Sequence, residues 1–138
     1  MTHPHIAVGH AIKRLQNRHH NAVNAALSEL GITIVQWDAL RHLEQNPDAS
    51  LHDLAQLTFQ TDQSFGTLAG RLLERQLVER VPGPGRAVKH RLTERGRELR
   101  WAGEALVDGV LTESLGSLSP KQLETLHSLL HQLLNPPK

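Results

Sequence analysis

The 138-residue sequence contains no cysteine. That absence excludes a disulfide framework, thiolate-held zinc and thiol-based redox sensing. Long apolar runs are missing as well, since no stretch reaches the roughly 18 apolar residues of a membrane-spanning helix. The opening residues, MTHPHIAVGH, lack the basic-then-apolar pattern of a signal peptide. A soluble, cytoplasmic protein without a membrane partner is expected. No glycine-rich loop follows an expected strand, and no local Ser/His/Asp set is visible. Nothing therefore points to an enzyme, and no cofactor is expected. Repeats, low-complexity tracts and inter-domain linkers are also absent. The length suits one domain over 1–138 with its own core.

Charge, by contrast, is present and uneven. The formal net charge is +1, yet residues 71–100 hold nine basic and four acidic residues, a net of +5. The rest of the chain carries −4. A basic segment on an acidic body is the footprint expected of a polyanion partner such as double-stranded DNA. A merely solvated face would carry the same charge, so the order of elements has to decide.

Apolar spacing predicts helices over 6–30, from 34 to about 46, from 51 to about 57, and from about 61 to 76. Gly31 is a helix stop, and Thr33 and Ser50 are N-caps. Asp53 completes a near capping box with Ser50. A break falls at Phe59-Gln60. Two short strands, 77–81 and 87–92, flank the turn Pro82-Gly83-Pro84-Gly85. Thr93-Glu94 opens a fifth helix whose inward stripe is Leu99, Ala102, Leu106 and Val110. A sixth follows Ser119-Pro120, rich in leucine around its circumference.

The fold class is thus mainly α with a small β element (α+β), a winged helix-turn-helix of about six helices and a β-hairpin wing. Residues 33–97 form the winged unit, flanked by helices at 5–30 and 98–135. The flanking helices are amphipathic and need a surface to bury against. A two-fold homodimer supplies one, and places two reading heads about one DNA turn apart on a palindrome.

In such a fold the second helix of the motif enters the major groove. Thr61, Gln63, Ser64, Thr67 and Arg71 are its short or hydrogen-bonding residues, suited to base edges and phosphates. Arg86 at the hairpin tip suits a narrow minor groove, where negative potential concentrates. Lys89 and Arg91 alternate onto one strand face and suit phosphates.

Residues 84–96, PGRAVKHRLTERG, resemble the wing signature of the multiple antibiotic resistance regulator (MarR) family, with Arg86, Leu92, Thr93 and Gly96 at the matching positions. The preceding RLLERQLVER (71–80) is similar to that family's exit from recognition helix to wing. The resemblance implies a homodimeric transcriptional regulator, usually a repressor released from DNA by a small ligand. Two positions depart from the pattern: Pro84 replaces the signature's aspartate, and Thr67 an arginine common in the recognition helix. A ligand cleft between dimer helices and winged unit is also implied, with Trp37, Arg41, His19 and His20 as candidate lining residues. Some relatives sense zinc, and Glu124, His127 and His131 can share one face of the last helix. No metal site is expected, however, because leucines surround the pair and no cysteine is present. A zinc-responsive regulator and a protein-binding winged helix stand as the alternatives. A steep salt dependence of binding separates DNA from a protein partner.

Overall fold

The computed structural model describes residues 3–82 and 88–137. Among the described residues the order is α1 (Pro4–Leu27), a 3₁₀ turn (Ser28–Leu30), α2 (Ile34–Gln45), α3 (Leu51–Leu57), α4 (Asp62–Glu74), β1 (Val78–Pro82), β2 (Val88–Leu92), α5 (Glu94–Leu115) and α6 (Pro120–Leu134). This is a winged helix-turn-helix between long flanking helices. No described helix is long and apolar enough to cross a membrane.

Local side-chain chemistry sets the helix starts. Thr33, Ser50 and Ser119 each accept from the N3 backbone, and the N3 side chains of Gln36, Asp53 and Gln122 reach back, so all three are capping boxes. The Ser50 backbone N–H, and then its hydroxyl, hold the Asp53 carboxyl below its ordinary pKa.

Three helical segments end in one and the same way. Ile32 N–H donates to Leu27 O, Gln60 N–H to Ala55 O and Leu77 N–H to Leu72 O, each closing a six-residue turn. The residue before each donor is left-handed: Gly31 at φ 72°, Phe59 at 58° and Gln76 at 60°. These are Schellman ends, where glycine is the usual occupant. Only the first has it.

Two apolar clusters make the core. One joins α2, α3, α4 and the wing through Leu40, Leu54, Phe65, Leu72, Leu77 and Leu92. The second joins α1, α2 and α5 through Val23, Leu27, Ile32, Trp37 and Val107.

Several expectations are corrected. The strands are Val78–Pro82 and Val88–Leu92 rather than 77–81 and 87–92, and Ala87 lies outside the described residues. α1 stops at Leu27 because the chain tightens into the 3₁₀ turn. Leu57, the last residue of the short α3, is half exposed. The buried stripe of α5 is Gly96, Arg100, Gly103 and Val107, while Ala102 is exposed. Close approach explains this choice. A Cβ at Gly96 would collide with the Leu77 carbonyl, and one at Gly103 would lie 2.6 Å from Trp37 Cδ1. Leu99 and Val110 pack at the margins of the clusters.

Buried Arg100 ties α5 to α2. Its Nε lies 3.1 Å from Glu44 Oε1, an ion pair without hydrogen-bond alignment. Its carbonyl accepts the Trp37 indole N–H at 3.1 Å.

Candidate nucleic-acid interface

Thr61 caps α4 by accepting the Ser64 N–H at 3.0 Å. The helix then buries Phe65, Leu68, Ala69 and Leu72 against the winged core, which turns Gln63, Ser64, Thr67 and Arg71 to the surface. These four line one concave groove together with Thr61, Gln60 and Val35. All five residues expected from helix four therefore share one surface.

The groove is partly pre-ordered. Ser64 Oγ donates to Gln60 Oε1 at 3.1 Å, and Gln60 Nε2 donates to Thr58 Oγ1 at 3.2 Å. Thr67 Oγ1 donates to the Gln63 carbonyl at 3.1 Å. The hydroxyl protons of Ser64 and Thr67 are thereby committed, leaving their lone pairs to accept. Arg71 is exposed, and as a planar five-donor cation it matches a phosphate or a guanine edge.

The strands pair antiparallel with Glu79 opposite Arg91, Arg80 opposite His90 and Val81 opposite Lys89. Alternation sends Val78, His90 and Leu92 inward, and Lys89 and Arg91 share the other face. Both cations are engaged within the chain. Lys89 Nζ lies 3.2 Å from Asp48 Oδ1, and Arg91 Nε lies 2.6 Å from Glu79 Oε1. Arg86, with Gly83 and Gly85, lies outside the described residues.

His90 is buried and its Nδ1 has no hydrogen-bond partner among the described residues. Burial, and secondarily the Arg80 charge across the ladder, holds its pKa below the ordinary histidine value.

Sequence reasoning missed three acids near this surface. Asp62, the first residue of α4, holds His52 Nδ1 of α3 at 2.8 and 3.0 Å from its two oxygens. A carboxylate only accepts, so the ring nitrogen is the donor. Asp48 and Glu79 are the other two. The Glu79–Arg91 pair was recoverable from hairpin register, whereas Asp48 and Lys89 are too distant in sequence for any local signal.

The four candidate ligand residues do not form one pocket. Trp37 is a core residue whose N–H is used by Arg100. Arg41 stacks over Trp37, 5.3 Å from the ring centroid, and donates to Asp38 at 3.3 Å. His19 meets Ser114 Oγ at 2.6 Å, and His20 meets Asn24 at 3.3 Å. Trp37 packs at Gly103, so Gly103 to Ser114 of α5, about 16 Å of helix, separates it from His19. The two histidines and the α2 pair therefore occupy different places along α5.

On α6, His127 and His131 face each other at 6.5 Å between ring centroids. Among the described residues no group of three or more His, Asp or Glu side chains is arranged to hold a metal ion.

The MarR family model matches residues 30–87, the winged unit up to the hairpin tip. The chain is 34% identical over 113 residues to the HTH-type transcriptional repressor Rv2887 of Mycobacterium tuberculosis, covering 80% of this chain and 81% of that protein. A crystal structure of that protein, described as a MarR family protein in complex with p-aminosalicylic acid, superposes with a TM-score of 0.78 at 31% identity, over 92% of this chain and 98% of the other. A mutant MarR from E. coli complexed with operator DNA shares the fold, with a TM-score of 0.84 at 24% identity over 98% and 99% of the two chains.

Proposed function

The chain belongs to the MarR family of transcriptional regulators, and from that premise we propose that it is a homodimeric repressor that reads a palindromic operator and lets go on binding a small ligand. The observation that carries the DNA reading is the exposed face of α4. It gathers Thr61, Gln63, Ser64, Thr67 and Arg71 on one groove, beside a wing whose outer face bears Lys89 and Arg91. Gln63 and Ser64 read bases, while Arg71, Lys89, Arg91 and Arg86 of the wing tip hold phosphates or the minor groove.

The dimer reading rests on uncovered apolar faces. Ile6, Val8 and Ile12 of α1 and Leu129, Leu133 and Leu134 of α6 are exposed, and α6 has no buried residue at all. Faces of this kind mark association surfaces.

For the ligand we infer a small aromatic carboxylate, the class bound to the M. tuberculosis relative. Arg41 is its cation: half-buried on the Trp37 ring, it has an Nε without a partner among the described residues.

The test is fluorescence anisotropy against DNA from upstream of the protein's own gene, with random DNA as control, at two salt concentrations. Tight, sequence-preferring and salt-sensitive binding that salicylate weakens is the expected result. Weak binding indifferent to sequence and salt overturns the reading in favour of a protein-binding winged helix.

A further inference from the structure

Two phenylalanines occur in the sequence, and the fold treats them oppositely. Phe65 is fully buried at the centre of the winged core, whereas Phe59 is 98% exposed. Phe59 also has φ 58°, in the left-handed region that a bulky side chain avoids. It is the C′ residue of α3: its N–H donates to Gln56 O at 3.2 Å, and the next N–H donates to Ala55 O at 2.8 Å. Glycine fits this position without strain. The benzyl group therefore strains the backbone and recovers nothing by packing within the chain. Strain that the surrounding fold does not repay points to a contact outside it.

Position selects that contact. Only Gln60 and the cap residue Thr61 separate Phe59 from α4, and both line the groove that carries Gln63, Ser64 and Arg71. α3 packs on α2 and α4, while α1 packs chiefly on α5. The turn thus belongs to the winged unit and not to the terminal helices that carry the uncovered apolar faces. In helix-turn-helix docking, the N-terminal end of the recognition helix is the part that meets base edges.

We propose that Phe59 is a further specificity residue, whose ring packs on the C5-methyl of a thymine at the edge of each operator half-site. Apolar contact with that methyl is an established mode of major-groove readout. The hydrogen-bonded turn fixes the backbone at Phe59 before DNA arrives, so only side-chain freedom is lost on binding. This inference rests on the DNA-binding reading above and adds an apolar base contact to its polar ones.

The variant Phe59→Gly separates fold from function, because the two effects have opposite signs. Glycine relieves the left-handed backbone, so the melting temperature should rise by about 2–4 °C. Affinity for a palindrome selected by the wild-type protein from randomised DNA should fall at least about fivefold, with affinity for random DNA unchanged. Deoxyuridine, which lacks the methyl, is then substituted for each operator thymine in turn. At one thymine per half-site the wild type should drop to the level of the variant, and the variant should be indifferent. If Phe59→Gly binds the selected palindrome as tightly as wild type, Phe59 touches no DNA and the turn is a protein-facing surface. If affinity falls but no uracil position matters, the thymine assignment is overturned. Failure of the wild type to select any sequence would instead overturn the DNA reading itself.

Discussion

Lys89 and Arg91 reach the outer face of the wing already paired, with Asp48 and Glu79. In the proposed complex a phosphate would have to displace those carboxylates, and each carboxylate would also repel the DNA backbone. Exposed pairs of this kind are worth up to about 1 kcal/mol, so their removal has a bounded effect. Asp48→Asn and Glu79→Gln should each tighten DNA binding roughly two- to fivefold at low salt, equally on operator and random DNA. The gain should shrink as added salt screens both interactions. Anisotropy at two ionic strengths checks this, and unchanged affinity in both variants would mean that the wing cations do not meet phosphate. His90, on the opposite face of β2, makes stability depend on pH. Burial and the Arg80 charge depress its pKa in the folded state, so the unfolded chain takes up a proton first as pH falls. Stability is fully present above the ordinary histidine pKa of about 6.5 and is lost as pH falls below it. Thermal melts at neutral and acidic pH should show a steeper acid loss for wild type than for His90→Leu. Equal losses would remove His90 as the cause.

At the scale of elements, α4 and the wing divide the work in the proposed complex, so their variants should differ in kind. Gln63→Ala and Ser64→Ala remove donors and acceptors from the groove, so they should narrow the gap between operator and random DNA. Lys89→Ala removes a proposed phosphate contact and should weaken both by a similar factor. Competition binding on the two DNAs distinguishes the patterns, and identical losses in all three variants would contradict the division. The same elements show what a sequence discloses. Helix starts were legible because the cap and its N3 partner lie three residues apart, as at Thr33, Ser50 and Ser119. The face of α4 followed from the spacing of Phe65, Leu68, Ala69 and Leu72. The register of α5 was misread because apolar spacing favours leucine as the inward residue. Here Gly96 and Gly103 face inward to admit Leu77 and Trp37, and Arg100 is buried with Glu44 beside it. The end of α3 and the break at Phe59-Gln60 were legible, but the end of α4, expected at 76 and found at Glu74, was blurred because Gln76 holds a left-handed position that glycine normally announces. Of the wing's ion pairs, Glu79–Arg91 follows from hairpin register, whereas Asp48 and Lys89 lie far apart in the chain and no local pattern encodes their contact.

For the whole molecule, the proposed dimer would make the two terminal helices connect fold stability to operator affinity. Their exposed apolar residues lie on α1 and α6, away from both core clusters, so a charge placed there leaves the winged core intact. Ile12→Glu combined with Leu133→Glu should therefore yield a monomer by sedimentation or light scattering, with helical circular dichroism largely retained. Wild-type melting temperature should rise with protein concentration, because association stabilises the folded chain by mass action. That dependence should vanish in the double variant. The consequence for DNA is larger than the consequence for folding. A dimer holds its second reading head at high effective concentration over the second half-site, and this contributes on the order of 10²- to 10⁴-fold in affinity without any new contact. The monomer should lose that factor on a palindrome yet match wild type on an isolated half-site, where the second head has nothing to read. Equal binding of the palindrome by monomer and wild type would show that one copy suffices, and the apolar faces would then have to serve another partner.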